Sequence, residues 1–512
     1  MMGMVFEDDS SGAWNEMFEA PGKPRSIYQR LFTELDRYDP AELLQRSDQL
    51  SHTFLDRGVT FAHSGEERPF PLDLMPRLLG AVEWDLLERG IAQRVRALEA
   101  FLGDVYGRGQ VFEEGLIPKS VVTTSSHFCR AASSIEPPNG VRIAVAGIDL
   151  VRDELGKFRV LEDNVRIPSG VSYVIENRRA MTQAFSALFS DHRVHPVDSY
   201  PGRLLSALRL AAPSGVGDPV VVVLSPGVYN AAYFEHVLLA RMMGVELVEG
   251  RDLVCRSNRV YMRMTNGERP VHVIYRRVDD DWLDPLQFRP DSVIGVAGLV
   301  NAARAGNVVL ANALGNGVAD DKLVYTYVPD FIRFYLGEEP LIENVETYRL
   351  EDPEVLAEIL GSLSSYVLKP VDGSGGKGIV IGPQASDDAI AAVREAIISA
   401  PRNWIAQRPV ALSTHPTLVD ERVSPRHIDL RPFAVSSGQD VWVLPGGLTR
   451  VALGAGELVV NSSRGGGSKD TWVLNDQAVT ARSTFARIDQ PTRNAGVIPR
   501  QNDEYSDPEG EQ

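Results

Sequence analysis

The clearest hydrophobic pattern lies in the first third of the chain. Five apolar residues recur every three or four positions and form one stripe, which is typical of an amphipathic helix: Ile91, Val95, Leu98, Leu102 and Val105. Gly90 is expected to separate two helices, as a residue just beyond a helix end. The pattern predicts a helical subdomain over 26–135. A polar stretch rich in glycine and proline precedes it, and a disordered N-terminus is predicted over 1–25.

The pattern changes near residue 141, where short apolar runs begin to alternate with helical segments. Such alternation predicts an α/β layer, most clearly over 201–345, where the valine-rich run Pro219–Leu224 suits a buried parallel strand. Arg276 ends a later strand and could clamp an anion, because a guanidinium matches a carboxylate or phosphate. Three aspartates follow at 279–281. They could bind a metal, but a solvated loop is the preferred interpretation.

A glycine-rich loop stands between two short strand signals in Tyr366–Gly382. Its backbone N–H groups could approach a phosphate closely, and Lys369 and Lys377 bracket it with positive charge. Asp372 lies inside the loop, where a carboxylate suits a Mg²⁺ ion between it and the phosphates. A flap over a magnesium nucleotide and a mobile hairpin are equally favoured by this stretch alone.

A second group of polar residues follows the strand signal Phe158–Leu161. Glu162 and Asn164 are two apart, so their side chains point the same way from a strand and could share one hard cation. A hydroxyl-rich turn follows, with Ser169, Ser172 and Tyr173. A strand end capped by turn-forming residues is the alternative. Taken alone, the Glu–Asn pair favours that alternative.

The amino-acid composition disfavours several classes of protein for this chain. The chain has 512 residues, a net charge of −17 and two cysteines. An acidic chain disfavours a nucleic-acid footprint, and two cysteines are too few for a disulfide framework. The N-terminus lacks the features of a signal peptide, and no apolar run is long enough to span a membrane. A cytoplasmic protein is expected, with a disordered acidic tail over 481–512.

Several long motifs, taken together, resemble one family. They are LEDNVRIPSGVSYV, VIYRRVDDDWLDPL, GNGVADDKLVYTYVPD, SYVLKPVDGSGGKG, HIDLRPFAV and LPGGLTRVAL with SSRGGGSKD. They resemble the circularly permuted type 2 ATP-grasp proteins, relatives of eukaryotic glutathione synthetase and glutathionylspermidine synthase. The resemblance implies an α+β / α/β fold, with an N-terminal helical subdomain and a central α/β, pre-ATP-grasp-like layer. The permuted segment with the metal pair is then 136–200, the substrate domain 201–345, and the glycine loop, adenine linker and closing loop 346–480.

The resemblance also implies a set of site residues. Mg²⁺ would be held by Glu162, Asn164 and Asp372, the last replacing the family's glutamate. ATP would be bound by Lys322, Lys369, Gly373, Ser374, Gly375, Gly376, Lys377, Gln407, Arg408 and Val410. Arg450 would bind the substrate carboxylate, and Arg464 and Lys469 would belong to the closing lid. Charge adds a separate argument, since a chain of net charge −17 needs a local positive pocket to bind a carboxylate. Arg276, Arg431 and Arg450 are expected to form this pocket, with Ser169, Ser172 and Tyr173 at its rim; pairing of the three arginines with structural acids such as Asp279 or Asp429 is the alternative. For Lys322 alone, a surface lysine paired with neighbouring aspartates is the commoner case.

The implied activity is that of an ADP-forming carboxylate–amine ligase that uses ATP and Mg²⁺. The expected partners are a small-molecule or peptide carboxylate and an amine acceptor, with no nucleic acid and no membrane. Two alternatives remain at this point. The chain could bind nucleotide as a regulator or assembly partner without turnover, or it could phosphorylate a small molecule.

Overall fold

Short strands and helices alternate along most of the chain in the computed structural model. It describes residues 12–475 except 64–65, 374–375, 420–421, 439, 455, 458–459 and 461–465. The strands of the described part are β1 Phe18–Ala20, β2 Lys23–Pro24, β3 Thr60–His63, β4 Glu66–Pro69, β5 Leu72–Leu79, β6 Val145–Arg152, β7 Phe158–Asn164, β8 Val221–Leu224, β9 Glu246–Val248, β10 Leu253–Arg256, β11 Arg259–Met264, β12 Gly267–Val271, β13 Val273–Arg276, β14 Val309–Ala311, β15 Thr347–Arg349, β16 Val367–Pro370, β17 Val380–Ile381, β18 Trp404–Gln407, β19 Thr414–Val419, β20 Arg422–His427, β21 Phe433–Ser436, β22 Val441–Val443, β23 Thr449–Val451 and β24 Gly467–Val473.

The α-helices of the same part are α1 Gln29–Leu35, α2 Pro40–Asp56, α3 Ala81–Val105, α4 Gln110–Glu113, α5 Lys119–Thr123, α6 Val171–Ala184, α7 Ser186–His192, α8 Tyr200–Leu210, α9 Tyr233–Met243, α10 Asp280–Leu283, α11 Leu299–Arg304, α12 Lys322–Tyr325, α13 Val328–Phe331, α14 Pro353–Leu360 and α15 Asp387–Ser399. None of the helices within these described residues is long and apolar enough to cross a bilayer.

Two antiparallel sheets carry the residues around the main cleft. One has the order β22-β21-β6-β7 and the other β15-β18-β16-β17. In the first, β21 pairs with β6 although they come from opposite ends of the chain. The C-terminal third therefore completes the sheet that carries Glu162 and Asn164.

The predicted α/β layer over 201–345 corresponds to a parallel sheet of order β14-β13-β8-β9. All four residues of β8 are buried, which fits its unbroken run of apolar residues, because a parallel sheet is covered on both faces. The three-stranded antiparallel sheet β10-β11-β12 is inserted between β9 and β13. Helix α9 ends at Gly244, whose φ of +68° is the left-handed conformation that favours glycine.

The N-terminal part departs from the sequence prediction in two ways. Residues 12–25 are ordered, with β1, β2 and a buried Glu16 that pairs with Arg77 at 2.5 Å; residues 1–11 lie outside the described residues. The segment 26–135 is not purely helical, because β5 lies within it and pairs in parallel with β24. Seven of the eight residues of β5 are buried, and such a run lacks the alternation that marks a half-exposed strand.

Gly90 lies inside one continuous helix, α3, and not between two helices. A Cβ at this position would come within 2.5 Å of Ile342 Cγ1. Glycine is therefore needed for close packing of α3 against the segment around Ile342, and not for a helix end. The predicted acidic tail over 481–512 lies outside the described residues.

Candidate active site

The main cleft has a volume of about 320 Å³ and is lined by residues from both antiparallel sheets. Most of the residues implied by the sequence line it: Glu162, Asn164, Lys322, Lys369, Asp372, Gly373, Gly376, Lys377, Gln407, Arg408, Val410, Arg431 and Arg450. They are scattered over nearly 300 positions of the chain, so their meeting in one cleft results from the fold and not from proximity in sequence.

Strand β7 brings Glu162 and Asn164 to the cleft. In the β6–β7 register Asp149 is opposite Glu162, and a hydrogen bond joins the two carboxyl groups. Burial raises the pKa of Asp149 well above its usual range, and the Glu162 charge adds to this effect. Burial opposes ionisation of Glu162 too, but Lys322 and Arg431 lower its pKa to about 2. The two shifts have opposite directions, so Glu162 is the more acidic member of the pair.

Two lysines face this ionised carboxylate. Lys322 Nζ lies 3.5 Å from Glu162 Oε2 and donates a hydrogen bond to Gly373 O at 2.5 Å. Lys369, on β16, is only 8% exposed. Burial lowers its pKa to about 8, and the nearby charge of Lys322 acts in the same direction while Glu162 opposes it. Two cations held together in a partly desolvated cleft favour an anionic ligand with several negative charges.

The glycine loop also lines the cleft, where Gly373 O and Glu162 Oε2 both contact Lys322 Nζ. Asp372 is exposed there, and Ser126 Oγ lies 3.4 Å from Asp372 Oδ2. Gly373, Gly376 and Lys377 line the same edge. Ser374 and Gly375 lie outside the described residues.

The other end of the cleft is apolar. Val345, Leu412 and Val460 form a small buried cluster, against which Leu161 and Val410 pack. Gln407 ends β18, and its side-chain amide donates to Thr347 Oγ1 at 3.0 Å. Arg408 is exposed and pairs with Glu346 at 2.9 Å. An apolar patch beside a strand end suits a flat heteroaromatic ring.

A chain of charges connects Arg431 and Arg450 to the Asp149–Glu162 pair. Arg431 contacts Asp149 Oδ2 at 2.7 Å and Asp429 Oδ2 at 3.1 Å. Burial opposes the charge of Arg431, but Asp149 and Asp429 raise its pKa. The Arg450 backbone N–H donates to the other oxygen of Asp429 at 3.1 Å. Burial and the neighbouring Arg431 lower the pKa of the Arg450 guanidinium to about 10, so a carboxylate ligand would be a favourable neighbour.

Arg276 and Lys469 do not line the cleft. Arg276 is fully buried and donates to the carbonyl oxygens of Asn312, Val278 and Ala313 while pairing with Asp280 at 2.6 Å. Lys469 is buried on β24, where it pairs with Asp73 and donates to Pro416 O at 2.8 Å. Because these contacts engage both cations within the protein, their predicted roles in the substrate pocket and the closing lid are corrected to structural ones. Arg464 lies outside the described residues.

The predicted substrate rim also lies elsewhere. Ser172 is buried and its hydroxyl donates to Glu235 Oε2 at 3.0 Å. The Tyr173 hydroxyl donates to Thr60 O at 3.1 Å, and its ring stacks on Phe70. Ser169 is exposed but is not among the residues that line the main cleft. The turn after β7 therefore presents Ser172 and Tyr173 to the protein core, because helix α6 begins at Val171 and directs them there.

The sequence analysis did not select several polar residues that line the cleft, among them His127, Arg166 and Asp320, nor Asp149, which contacts the cleft residue Arg431. Asp149 lies in a strand of eight buried residues. An acidic residue within a mostly apolar run was the one sequence feature that could have marked it as a candidate. Burial raises the pKa of Asp320 to about 7, while its carboxylate accepts the Val165 N–H at 2.7 Å. His127 lies in an irregular segment without a recognisable motif.

The donor set fits Mg²⁺ in chemistry. Glu162, Asn164 and Asp372 provide carboxylate and amide oxygens in one cleft, and hard cations prefer such ligands. Asn164 Nδ2 also lies 3.4 Å from Asp149 Oδ1, so its amide is oriented beside the acidic pair. Across the described ranges, no three histidine, cysteine or acidic side chains are grouped closely enough to hold a metal by themselves. The ion's other ligands would then be phosphate oxygens and water.

The two antiparallel sheets and the cleft between their strands are those of an ATP-grasp protein. The model of the family "Circularly permuted ATP-grasp type 2" matches residues 76–452, and the chain belongs to this family. A glutathione synthetase-like effector from Globodera pallida, solved in its apo form, has a similar fold, with a TM-score of 0.53 and 12% identity over 86% of this chain and 98% of that one.

Relatives at higher identity span most of the chain. An uncharacterized protein of Mycobacterium tuberculosis is 61% identical over 92% of this chain and 85% of its own length. An uncharacterized protein of Synechocystis is 48% identical over 91% of this chain and 98% of its own length. A Frankia casuarinae protein provisionally named glutamate–cysteine ligase 2-2 is 45% identical over 90% of this chain, which matches 53% of that protein.

Proposed function

We propose that the chain is an ATP- and Mg²⁺-dependent carboxylate–amine ligase that forms an amide bond through an acyl phosphate. The observation that carries the proposal is the meeting of two lysines, Lys322 and Lys369, with the Glu162–Asn164 pair and Arg450 in one cleft. This set offers separate partners for polyphosphate, a metal ion and a carboxylate.

The charge and polarity of the cleft residues suggest how ATP and Mg²⁺ would be bound. The base would occupy the apolar end beside Val410 and Leu412, and Lys369 and Lys322 would neutralise the phosphates. Glu162, Asn164 and Asp372 would hold Mg²⁺, which supplies Lewis-acid charge for phosphoryl transfer. The exposed Lys377 and the glycine loop would cover the phosphates from the opposite side.

The carboxylate half is assigned to Arg450. Arg431 is already in contact with Asp149 and Asp429, so its guanidinium is less available to a substrate. An oxygen of the substrate carboxylate would attack the γ-phosphorus, and ADP would leave. An amine would then attack the acyl carbon, phosphate would leave, and the amine nitrogen would lose a proton. Both nucleophiles belong to substrates, so positioning and electrostatics are the chain's main contribution.

The relatives support the ligase class and suggest the first substrates to try. The Frankia protein named as a glutamate–cysteine ligase is about twice as long as the region matched here, so its name applies to a larger protein. L-Glutamate and L-cysteine are therefore starting probes in a wider panel of acidic amino acids, short peptides and the small-molecule fraction of a cell extract.

The test has a binding step and a turnover step. Calorimetry with Mg-ATP should give saturable binding that is lost in Lys369→Ala and kept in Lys119→Ala, a matched change of an exposed lysine outside the cleft. Turnover is then followed as ADP release with each carboxylate, using hydroxylamine to trap an acyl phosphate as a hydroxamate.

Three outcomes separate the ligase from its alternatives. Hydroxamate formation that requires ATP and a carboxylate supports the ligase. Phosphate transferred to a hydroxyl group would identify a kinase instead. Saturable Mg-ATP binding without ADP release across the whole panel would identify a nucleotide-binding protein that does not turn over.

A further inference from the structure

A second cavity, with a volume of about 420 Å³, adjoins the nucleotide cleft. Two residues, His127 and Arg166, line both spaces. Its volume is within the range of small-ligand sites. The proposed reaction requires a second substrate to reach the acyl phosphate, and a cavity that shares a wall with the cleft provides such access.

The shared wall is held in place by its neighbours. Arg166 Nη1 lies 3.1 Å from Asp279 Oδ1. Gly317 lies beneath both wall residues: a Cβ there would come within 3.0 Å of His127 Cβ and 3.1 Å of Arg166 Cδ. Arg166 is also only two residues beyond Asn164, so the wall lies next to the proposed metal pair in the chain.

The chemistry of the cavity comes from its acidic and aromatic lining. Asp280 is engaged, since it accepts the Gly315 N–H at 2.9 Å and pairs with Arg276 at 2.6 Å. Asp281 is exposed, and 46% of the Asp279 side chain remains accessible beside Arg166. Both carboxylates border the cavity, and Asp281 is the more open to a ligand because Asp279 already pairs with Arg166.

Aromatic side chains form much of the remaining wall. Phe128, Trp282 and Phe288 line the cavity. The Arg289 guanidinium lies 3.9 Å from the centroid of the Trp282 ring, so this ring already packs against one cation. Carboxylates combined with aromatic faces favour organic ammonium groups over anions or neutral polar molecules. Arg130 also lines the cavity and would suit an acceptor that carries a carboxylate at its other end.

We infer that this second cavity is the subsite for the amine acceptor, and that it binds a small molecule bearing a primary ammonium group through Asp281 and Asp279. The inference rests on the proposed ligase function. The amine would then reach the acyl group at the border marked by His127 and Arg166, the two residues that line both spaces. The bound ammonium group first loses one proton to solvent and becomes the attacking amine. The attack forms the amide bond, breaks the bond from the acyl carbon to the phosphate oxygen, and releases inorganic phosphate and a second proton.

Binding of matched probes tests the subsite without turnover. Three four-carbon molecules that differ in their end groups serve as ligands: 1,4-diaminobutane, 1,4-butanediol and succinate, with glycine as a zwitterionic amine. Calorimetry on the full chain should show binding of the diamine or of glycine, and much weaker binding of the diol and of succinate. Asp281→Asn should weaken amine binding about two- to fivefold, as expected for one exposed charge.

Two further variants make the result decisive. Gln287→Trp adds bulk at the cavity wall and should abolish amine binding, while Asp388→Asn, an exposed aspartate on α15, should leave it unchanged. Mg-ATP affinity is measured in every variant and should not change. Equal binding of amine, diol and succinate, or amine binding that is unaffected in both cavity variants, would overturn the subsite. If the unaltered chain does not bind Mg-ATP at all, the ligase function itself is refuted, and not only the amine subsite.

Discussion

Replacing Lys369 with methionine should stabilise the nucleotide-free protein while destroying its nucleotide site. Lys369 is buried on β16, and its pKa is lowered to about 8 from the ordinary value of 10.5. Each pKa unit corresponds to about 1.36 kcal/mol, so at neutral pH the buried charge costs about 3 kcal/mol. Methionine keeps most of the apolar stem and removes the charge. The melting temperature of the nucleotide-free chain should therefore rise by several degrees.

The pH dependence gives this prediction a sign that can be checked. The unfolded chain holds the Lys369 proton more tightly than the folded chain, so the penalty is fully present below about pH 8. It is relieved as the pH rises from about 8 to 10.5, since the folded form releases the proton first. The advantage of Lys369→Met should consequently fall to about half or less by about pH 9.5.

Thermal unfolding at pH 7 and pH 9.5, with and without Mg-ATP, measures both effects. Mg-ATP should raise the melting temperature of the unaltered chain and have no effect on Lys369→Met. Lys119→Met, at an exposed position on α5, serves as the control and should behave like the unaltered chain. A lower melting temperature for Lys369→Met at neutral pH would refute the reasoning, because it would mean that the ammonium stabilises the fold.

Two other predictions concern the metal pair and the long helix. Glu162→Gln should raise the Mg²⁺ concentration needed for ADP release by at least about tenfold, with little change in melting temperature. The control Glu154→Gln, at an exposed position, should alter neither quantity. Equal Mg²⁺ dependence in both variants would show that Glu162 is not part of the metal site. Gly90→Ala should destabilise the chain by about 1–2 kcal/mol, because its Cβ would meet Ile342. Gly103→Ala, in the same helix with no atom within 4 Å of its Cβ, should stabilise it by about 0.5–1 kcal/mol. Chemical denaturation distinguishes the two, and an equal response would show that the Ile342 contact is easily relieved.

Local patterns located several residues of the cleft but did not by themselves assign their roles. The spacing of Glu162 and Asn164 placed both on one side of β7, and the glycines around Asp372 marked a loop at the cleft. Arg276 shows the limit of such reasoning. A strand-end arginine suits an anion site, but its carbonyl partners at 312 and 313 lie just after β14, and no local pattern reveals them.

Contacts between residues far apart in sequence also explain why the roles of Lys469 and Asp149 were not predicted correctly from the sequence. Lys469 follows a glycine-rich run that looks like a mobile loop, yet it pairs with Asp73, almost 400 positions earlier. Asp149 lies in an apolar strand, and its importance appears only when Arg431 is brought against it by the pairing of distant segments. In both cases the deciding partner is remote in sequence, so neither composition nor periodicity identifies it.

The pairing of β6 with β21 has a consequence for synthesis of the chain. Phe433 is opposite Gly147, and these residues are 286 positions apart in sequence (433 minus 147). A ribosome adding about 5–20 residues per second needs about 15–60 s to cover that interval. During this time the strand edge of β6 that later receives β21 has no partner from its own chain, and the half-made cleft lacks Arg431 and Arg450. The nascent protein therefore passes through a long interval in which it needs protection against wrong strand pairing, and it acquires a complete site only after Arg450 has been added.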